Sequence, residues 1–500
     1  MDFLGPLPPL ELGEMLAKAS AVVSLVVLVI LLVKRVKRGS ASGAASGAAC
    51  AAGLPVRDLQ KRPLALATDI IFGTSPLGGI GAEMSDDEAE EVVEHAVVVG
   101  FRMFDTAPHY GCGAAEVRLG NGLRNGCSAV CRTRKLAAAL LAEQIIVWTK
   151  VGRLVKAAEE ITAADAVEHD NAPGSATTIY HDSPVGVLPV LDYTAAGARQ
   201  SFEDSCARLG AGVVVTGLRC HDPETAAREQ AATAPKGSIV GLATLRDERF
   251  AATIGAAPEA PAAAEALVEA AADEAPKSIR QSSRLKGEAA PTPKQAPPSA
   301  KKAPQSAKTP VKTPAKAPAK TPRTPGVAAP ALPPLEISLG LNNASAALRI
   351  LELTNPADAN SNMRLDSVML AGRWNLLDQS GAGVLAVCAA RGVKVHVAGV
   401  FASGLLAGGE TCEYAAATST QKAKAAQWAK LAQGYDCDVK AVAVAFALLP
   451  QCVDKVAVGL GTVEEVDAMV QLVGGAANVP AALWREAVKL KLLAPSLLAF

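Results

Sequence analysis

The sequence predicts an α/β protein whose main body is a (β/α)8 TIM barrel. From about Leu64 onward, the 500-residue chain alternates short apolar runs with amphipathic helical stretches, the pattern of parallel βαβ units. Eight such runs can be read, which is the number of strands that closes this barrel. A doubly wound sheet would also be parallel, but the glycine-rich stretches 72–79 and 111–116 do not match the G-x-G-x-x-G nucleotide-binding fingerprint.

The predicted strands are short apolar runs, most of them rich in valine, isoleucine or leucine. In chain order they cover Asp69–Thr74, Phe101–Asp105, Gln144–Lys150, Val213–Arg219, Glu336–Leu341, Ser367–Ala371, Lys394–Gly399 and Lys455–Gly459. Because the strands are expected to be parallel, their carboxyl ends should all open onto one edge of the barrel.

The first predicted helix shows how the segments between the strands are built. Ser85 and Glu88 form a capping box at its start. Five small or branched apolar residues at helical spacing form one face, namely Ala89, Val92, Val93, Ala96 and Val97. Gly100 is expected to end the helix as a left-handed cap.

The composition gives no sign of polyanion binding by the whole chain, of paired cysteines or of a metal site. Lys and Arg total 49 and Asp and Glu total 49, so the whole chain is not an obvious binder of polyanions. The ten cysteines are scattered without a C-x-x-C pair, which in a chain of this length indicates reduced thiols. The six histidines form no H-E-x-x-H pattern, so no metal site is predicted.

Residues 1–38 are predicted to be a membrane anchor or targeting segment. Ala19–Val33 is an uncharged apolar run, and four basic residues follow it, Lys34, Arg35, Lys37 and Arg38. At 1.5 Å per residue the run spans roughly 22 Å, short of a hydrocarbon core of ~30 Å. The basic cluster predicts a single-pass anchor in the endoplasmic reticulum or an organelle outer membrane, with the barrel facing the cytosol. A buried helix or an organelle-targeting presequence is the alternative, and it leaves a soluble cytoplasmic or plastid protein.

Two further segments divide the rest of the chain. Residues 39–63, rich in alanine, serine and glycine, are predicted to be a flexible linker. The barrel is expected in two halves, 64–253 and 336–500. Between them, after the fourth helix, residues 254–335 are rich in alanine, proline and lysine, which predicts a disordered basic insertion. Its place before strand five puts it on the edge opposite the catalytic one, as a spacer or a weak polyanion contact.

Four residues with acid–base chemistry stand at or just after the carboxyl ends of the second, third and fourth predicted strands. They are Asp105, Tyr110, Lys150 and His221. Tyrosine is a poor acid or base near neutral pH, and the ammonium of Lys150 is expected to lower its pKa. Asp105 would hold that ammonium, and His221 would orient a carbonyl or hydroxyl oxygen. Taken singly, each residue also suits a turn, a rim or a solvated strand end, but the set predicts proton transfer by Tyr110.

This order of residues resembles the catalytic tetrad of the aldo-keto reductases. Further stretches carry the same resemblance, namely 73–79, 116–123, 192–210, 371–378 and 401–406. The last three are similar to the branch of the D-threo-aldose 1-dehydrogenases, also called L-fucose dehydrogenase-like. The resemblance covers about residues 64–250 and 336–493 and implies that the four residues form the active site. It extends to neither the anchor nor the insertion.

The resemblance also implies where a nicotinamide dinucleotide binds. Asn342, after the fifth strand, would contact the nicotinamide amide, and the loops after strands seven and eight would hold the phosphates. The residues implied there are Ser403, Gly404, Leu405, Gly459, Gly461 and Thr462. Either NAD or NADP is compatible with this set. Gly461 stands where many relatives carry an arginine or lysine for the extra phosphate of NADP, and Glu464 and Glu465 follow it, so the sequence favours NAD.

The activity that the resemblance implies is that of an NAD(P)-dependent oxidoreductase. The predicted reaction oxidises the C1 hydroxyl of a free aldose, of the L-fucose, L-galactose or D-arabinose class, to a lactone, with Tyr110 as the proton carrier. One alternative is the reverse chemistry, an NADPH-dependent reduction of an aldehyde or of pyridoxal. The other is a membrane-tethered interaction protein whose barrel is not catalytic.

Overall fold

The computed structural model describes residues 53–62, 64–134, 144–169, 178–225, 234–255, 334–354 and 364–499. The predicted anchor, residues 1–38, lies outside these ranges, as do most of the predicted linker and residues 256–333 of the predicted insertion. Every predicted barrel strand falls within them.

The eight predicted strands form a closed barrel in which every neighbouring pair is parallel. In chain order they are β1 (Ile70–Gly73), β2 (Met103–Asp105), β3 (Ile146–Val151), β4 (Val215–His221), β5 (Glu336–Leu341), β6 (Ser367–Ala371), β7 (Lys394–Ala398) and β8 (Val453–Gly459). β8 closes the sheet by pairing with β1, with Gly459 opposite Gly73. The predicted fold class is confirmed. β4 extends past its predicted end at Arg219 and reaches His221.

Helices alternate with these strands, as the sequence predicts. They are α1 (Asp86–Val99), α2 (Ala114–Arg134), α3 (Ala195–Leu209), α4 (Ala234–Gly255), α5 (Ala344–Leu353), α6 (Ala382–Arg391), α7 (Ser419–Gln433), α8 (Val439–Leu448), α9 (Val463–Ala476) and α10 (Ala481–Lys489). The capping box predicted at the start of α1 is present between Ser85 and Glu88. The predicted apolar face of α1 is buried, and Gly100 follows the helix with a φ of 121°.

Side chains from the strands alone fill the inside of the barrel. A small apolar cluster there consists of Ile71, Met103, Trp148, Met369 and Ala457. Two polar residues, Arg219 and His396, are buried beside it, and the Arg219 Cζ lies 5.1 Å from the centroid of the Trp148 ring. Arg219 stands two residues before the end of β4. The barrel interior is therefore polar just inside the edge at which the strands end.

Two excursions border this edge. Between β3 and α3 the chain forms an antiparallel sheet of Arg153–Ala157, Ala166–Val167 and Val187–Leu191. After β7, a short hairpin joins Thr411–Cys412 to Ala415–Ala416. Both excursions follow the carboxyl end of a barrel strand, the edge that carries active sites in this fold.

Residues 53–62, which the sequence assigns to the flexible linker, pack against the barrel. Leu54–Pro55 pairs in parallel with Leu498–Ala499, and the Leu54 side chain is buried. The Arg57 guanidinium donates to the main-chain oxygen of Val453 at 2.6 Å. The packed chain therefore begins before the predicted start of the barrel, because this segment finds partners near the carboxyl terminus.

Three features of the described residues bear on what they can bind. No single helix in these ranges is long and apolar enough to cross a membrane. The helices α9 and α10, which form a bent pair, reach that length and apolar composition only when they are taken together. The nine cysteines of these ranges are free thiols. In the same part of the chain, no three His, Cys, Asp or Glu residues are grouped so as to hold a metal ion.

Candidate active site

Three of the four predicted proton-transfer residues meet at the side chain of Lys150. β2 ends at Asp105, β3 carries Lys150, and Tyr110 lies in the turn before α2. The Lys150 Nζ donates to Asp105 Oδ1 at 2.5 Å and to the Tyr110 hydroxyl at 2.8 Å. Its third bond goes to the main-chain oxygen of Thr106 at 2.9 Å. An ammonium has three N–H donors, and in Lys150 all three are used. One of them points at the phenol oxygen.

The fourth predicted residue, His221, faces the same phenol. The centroids of the His221 and Tyr110 rings lie 6.0 Å apart, with their planes nearly perpendicular. Tyr193 fixes the main chain here, because its hydroxyl donates to the main-chain oxygens of His221 and Asp222 at 2.7 and 2.8 Å. The barrel thus brings all four predicted residues together.

The electrostatics of the tyrosine differ from the sequence prediction. Desolvation of the partly buried phenol, and next the Asp105 carboxylate, raise the pKa of Tyr110 well above 10.0. The expectation that Lys150 sets a lowered pKa for Tyr110 is therefore wrong in this structure. Asp105 lies 2.5 Å from the Lys150 ammonium and offsets its charge, so burial decides the direction.

Asp105 and Lys150 form a buried ion pair. Burial opposes ionisation of Asp105, but Lys150 and then Arg219 outweigh it and hold the pKa of this carboxyl below its usual range. Burial also lowers the pKa of Lys150, against the opposing effect of Asp105. The site therefore holds an ionised carboxylate beside a protonated phenol at neutral pH.

The two histidines of the site are uncharged at neutral pH. Burial, followed by the charge of Arg153, lowers the pKa of His221 well below 6.5. The same two causes lower the pKa of His109 to about 3. A neutral imidazole has one donor and one acceptor nitrogen, so His221 can hydrogen-bond a substrate oxygen without adding charge.

Arg219 is one residue of the site that the sequence analysis did not assign. It is fully buried, and its Nε donates to Asp105 Oδ2 at 2.7 Å, on the side of the carboxylate away from Lys150. The available signal was a charged residue inside an otherwise apolar predicted strand. Arg219 was missed because its partners Asp105, Ser338 and His396 stand on other strands.

The antiparallel sheet after β3 adds a second ionic group at the rim. The Arg153 Nε and Nη2 donate to the two carboxylate oxygens of Glu168 at 2.8 and 3.0 Å, a bidentate pair. The Arg153 Nη1 also lies 3.6 Å from Asp222 Oδ2. Next to this group, the Tyr180 ring packs 5.2 Å from the His109 ring and 5.6 Å from the Tyr110 ring, between centroids. Sequence reasoning assigned none of these residues a role.

The residues predicted to bind the cofactor lie after β5 or β7, or at and after the end of β8, at the same edge as the tetrad. The Asn342 side chain is exposed just after β5. In the loop after β7, Ala402, Ser403 and Gly404 adopt successive positive φ angles of 50°, 54° and 98°. Leu405 follows them and is buried.

The loop after β8 brings the remaining predicted residues close to the loop after β1. A β-carbon at Gly459 or at Gly461 would approach the Pro76 side chain to 3.2 or 3.1 Å, so both positions pack closely against this proline. Thr462 caps α9, and its hydroxyl accepts from the Glu465 amide at 3.1 Å.

This donor set is compatible with a dinucleotide. Left-handed loops and helix amino termini present backbone N–H groups, which are the usual ligands of pyrophosphate. The loops after the last two strands supply both features, in the part of a (β/α)8 barrel that commonly holds phosphate. Asn342 lies after a separate strand, β5, at the same edge of the barrel.

Comparison with known proteins agrees with this geometry. The profile of the Aldo/keto reductase family matches residues 69–235 and 339–475, more than half of the chain. The chain is 24% identical to the D-threo-aldose 1-dehydrogenase of a Pseudomonas species over 428 residues, which cover 84% of this chain and 93% of that protein.

Two further relatives carry related descriptions. The pyridoxal 4-dehydrogenase of Microbacterium luteolum is 25% identical over 404 residues, covering 80% of this chain and 87% of that protein. The L-galactose dehydrogenase of Arabidopsis thaliana is 28% identical over 159 residues, covering 32% of this chain and 35% of that protein. All three relatives are described as dehydrogenases of small organic compounds.

Proposed function

Because this chain belongs to the aldo/keto reductase family and is an NAD(P)-dependent oxidoreductase, we propose that it oxidises the C1 hydroxyl of a free aldose to a lactone. The substrate class we favour is L-fucose, L-galactose or D-arabinose. The observation that carries the proposal is the contact of the buried Lys150 ammonium with both Asp105 and the Tyr110 hydroxyl, at 2.5 and 2.8 Å. Two relatives described as acting on sugars support the substrate class.

In this mechanism, Tyr110 moves the proton of the C1 hydroxyl. As the phenolate, it accepts that proton, and the hydrogen on C1 leaves with its electron pair, so that C1 becomes the carbonyl of the lactone. A bound oxidised nicotinamide supplies the carbon that accepts this hydride. Lys150 stabilises the phenolate, Asp105 keeps the ammonium in place, and neutral His221 hydrogen-bonds the C1 oxygen. Because the pKa of Tyr110 is raised, oxidation is expected to speed up as the pH rises.

The rim supports an uncharged substrate. Arg153 is buried and already carries a bidentate bond to Glu168, with Asp222 nearby, so its charge is matched within the protein. A phosphorylated sugar would bring two further negative charges next to these carboxylates. A free sugar brings only hydroxyl groups, which neutral His109, His221 and Tyr180 can hydrogen-bond.

A second candidate is the reduction of an aldehyde such as pyridoxal with NADPH. The raised pKa of Tyr110 favours it, since a phenol that keeps its proton at neutral pH is ready to act as the acid in reduction. The relative described as a pyridoxal 4-dehydrogenase supports pyridoxal as a substrate, although its name describes an oxidation and not a reduction. A non-catalytic barrel is less favoured, because Asp105, Tyr110 and Lys150 are all present and Lys150 hydrogen-bonds both of the others.

The deciding experiment is a turnover assay of the full chain with free aldoses, sugar phosphates and aldehydes, each with both nicotinamide cofactors. We expect lactone formation from a free aldose, and a fall in kcat of about 100- to 10,000-fold in Tyr110→Phe. Tyr435→Phe is the matched control, because its hydroxyl bonds the main chain of Ala482, away from the site. Wild-type turnover by Tyr110→Phe would overturn the mechanism, and activity on aldehydes alone would select the second candidate.

A further inference from the structure

A buried arginine shares the catalytic carboxylate with Lys150. Arg219 is fully buried and donates from Nε to Asp105 Oδ2 at 2.7 Å, while Lys150 holds Asp105 Oδ1 at 2.5 Å. One carboxylate therefore faces two cations. Burying these three charges together is costly unless the charges are balanced and the hydrogen bonds are all made.

The remaining contacts of Arg219 are uncharged. Its Nη1 donates to Ser338 Oγ at 2.6 Å, and its Nη2 lies 3.0 Å from His396 Nδ1. Burial, and then Arg219 itself, lowers the pKa of His396 well below 6.5, so this imidazole is neutral and accepts the bond. Among the contacts of Arg219 described here, Asp105 is the only carboxylate. The guanidinium charge is therefore only partly matched inside the barrel.

The other charged and titratable groups around Tyr110 and Lys150 come from several elements. Positive charge comes from Arg219 and Arg153, and carboxyl groups come from Asp105, Asp222 and, beyond Arg153, Glu168. The neutral titratable neighbours are His109, Tyr180, His221 and Tyr414. Arg153 is matched by its own carboxylates, so Arg219 is the cation whose charge acts on the pair most directly through Asp105.

We propose that Arg219 is a positioning residue that fixes the Asp105 carboxylate and lets the Lys150–Tyr110 pair release its proton at a lower pH than it otherwise would. The proposal rests on the role proposed above for Tyr110. The positive charge of the guanidinium partly neutralises the Asp105 carboxylate, which then stabilises the protonated form of Lys150 less. The same positive charge favours the phenolate of Tyr110 over the phenol. In line with this, burial raises the pKa of Tyr110 and lowers that of Lys150, while the charge of Arg219 lowers both.

The sign of the effect is testable in the pH profile. Oxidation needs the phenolate, so kcat rises with pH along an acid limb. In Arg219→Gln, which can still donate to Asp105 but has no charge, we expect that limb to move to higher pH by about 1 unit. In Arg219→Lys, which keeps the charge, the limb should stay near its wild-type position. A purely structural arginine would change the melting temperature and the size of kcat in both variants without moving the limb.

A second pair of variants tests the same charge with Arg219 in place. Ser338→Asp puts a carboxylate against the Arg219 Nη1, and Ser338→Asn is the control of the same size without charge. We expect the acid limb to move to higher pH in Ser338→Asp and not in Ser338→Asn. Thermal unfolding and quenching of nicotinamide fluorescence establish which variants fold and bind cofactor. If Arg219→Gln does not fold, the comparison of Ser338→Asp with Ser338→Asn still tests the proposal.

The outcomes separate this inference from the proposed function. An acid limb that stays in place in both Arg219→Gln and Ser338→Asp, with Tyr110→Phe inactive, would overturn the role of Arg219 alone. A limb that moves equally in Ser338→Asn would also overturn it, because charge would then not be the cause. Full activity of Tyr110→Phe would instead overturn the proposed function.

Discussion

Glu465 stands four residues after Gly461, the position at which the resemblance implies a basic residue in NADP-dependent relatives. Its carboxylate accepts a hydrogen bond from the Gly461 amide at 2.7 Å, and its own amide donates to Thr462. A backbone N–H at this helix terminus is a natural anion ligand, and here the protein supplies the anion. We therefore propose that the enzyme prefers NAD, and that Glu465 is the residue responsible.

Replacing Glu465 tests this cofactor preference. Glu465→Gln keeps a hydrogen-bond acceptor but removes the charge, so we expect kcat/KM with NADP to rise relative to NAD by about 5- to 10-fold, or ~1 kcal/mol. Glu464→Gln is the matched control, because Glu464 is an exposed neighbour on the same turn. Steady-state assays with both cofactors give the ratio. A wild-type preference for NADP would contradict the NAD assignment, and an unchanged ratio in Glu465→Gln would contradict the role of Glu465.

Some of the chemistry at the residue scale was readable from the sequence, and some was not. Asp105, Lys150 and His221 each stand at or near the carboxyl end of a strand, so the period of the apolar runs placed them at one edge. The direction of the Tyr110 pKa was not readable, because it depends on burial and on the distance between Asp105 and Lys150. Arg219 was missed because its partners stand on other strands, far away in sequence.

The short 3-10 helix Ser75–Gly78, after β1, supports the catalytic turn. A β-carbon at Gly78 would lie 2.6 Å from the carbonyl carbon of Tyr110 and 2.7 Å from the amide nitrogen of Gly111. The two loops therefore touch backbone to backbone, and only glycine allows that approach. This contact packs the turn of Tyr110 directly against the loop after β1.

Gly78→Ala should displace the turn that carries Tyr110. We expect a loss of about 1–3 kcal/mol of stability, the usual cost of overpacking, and a fall in kcat because the phenol moves relative to Lys150. Gly474→Ala is the control, since Gly474 lies in α9 with no atom near its β-carbon position. That change should be neutral or stabilising by up to ~1 kcal/mol. Thermal unfolding and kcat measure both effects, and a Gly78→Ala enzyme with wild-type kcat would refute this account of the contact.

The regular elements were predicted better than the excursions between them. Barrel strands and α1 follow from local periodicity and capping, which neighbouring residues determine. The sheet of Arg153–Ala157, Ala166–Val167 and Val187–Leu191 was not predicted. One of its strands has only two residues, and its partners are distant in sequence. This sheet nevertheless brings Glu168 to Arg153 at the rim.

At the scale of the whole molecule, the match to the family covers residues of the barrel only. The role of the amino-terminal segment therefore has to be argued separately. The apolar run Ala19–Val33, with basic residues after it, motivates the proposal that residues 1–38 attach the enzyme to a membrane with the barrel in the cytosol. These residues lie outside the described ranges. The catalytic edge is complete without them, since every residue assigned to it stands after position 70.

Removing residues 1–38 tests the attachment. We expect a fluorescent fusion of the full chain to co-sediment with membranes and the fusion lacking 1–38 to remain in the supernatant. Replacing Lys34, Arg35, Lys37 and Arg38 by glutamine is the companion variant, because it keeps the apolar run and removes the orientation signal. Turnover should be the same with and without residues 1–38. Equal sedimentation of the two fusions would rule out this anchor.

The sequence by itself determined the barrel, and it predicted the edge proposed to be catalytic and the four residues of the proposed proton-transfer set. Periodicity and strand ends carry that information, and both are local. The tertiary structure alone decided the charge states at the site, the sharing of Asp105 between Lys150 and Arg219, and the ionic rim around Arg153. Burial and distance between strands decide these properties, and neither exists until the eight strands close.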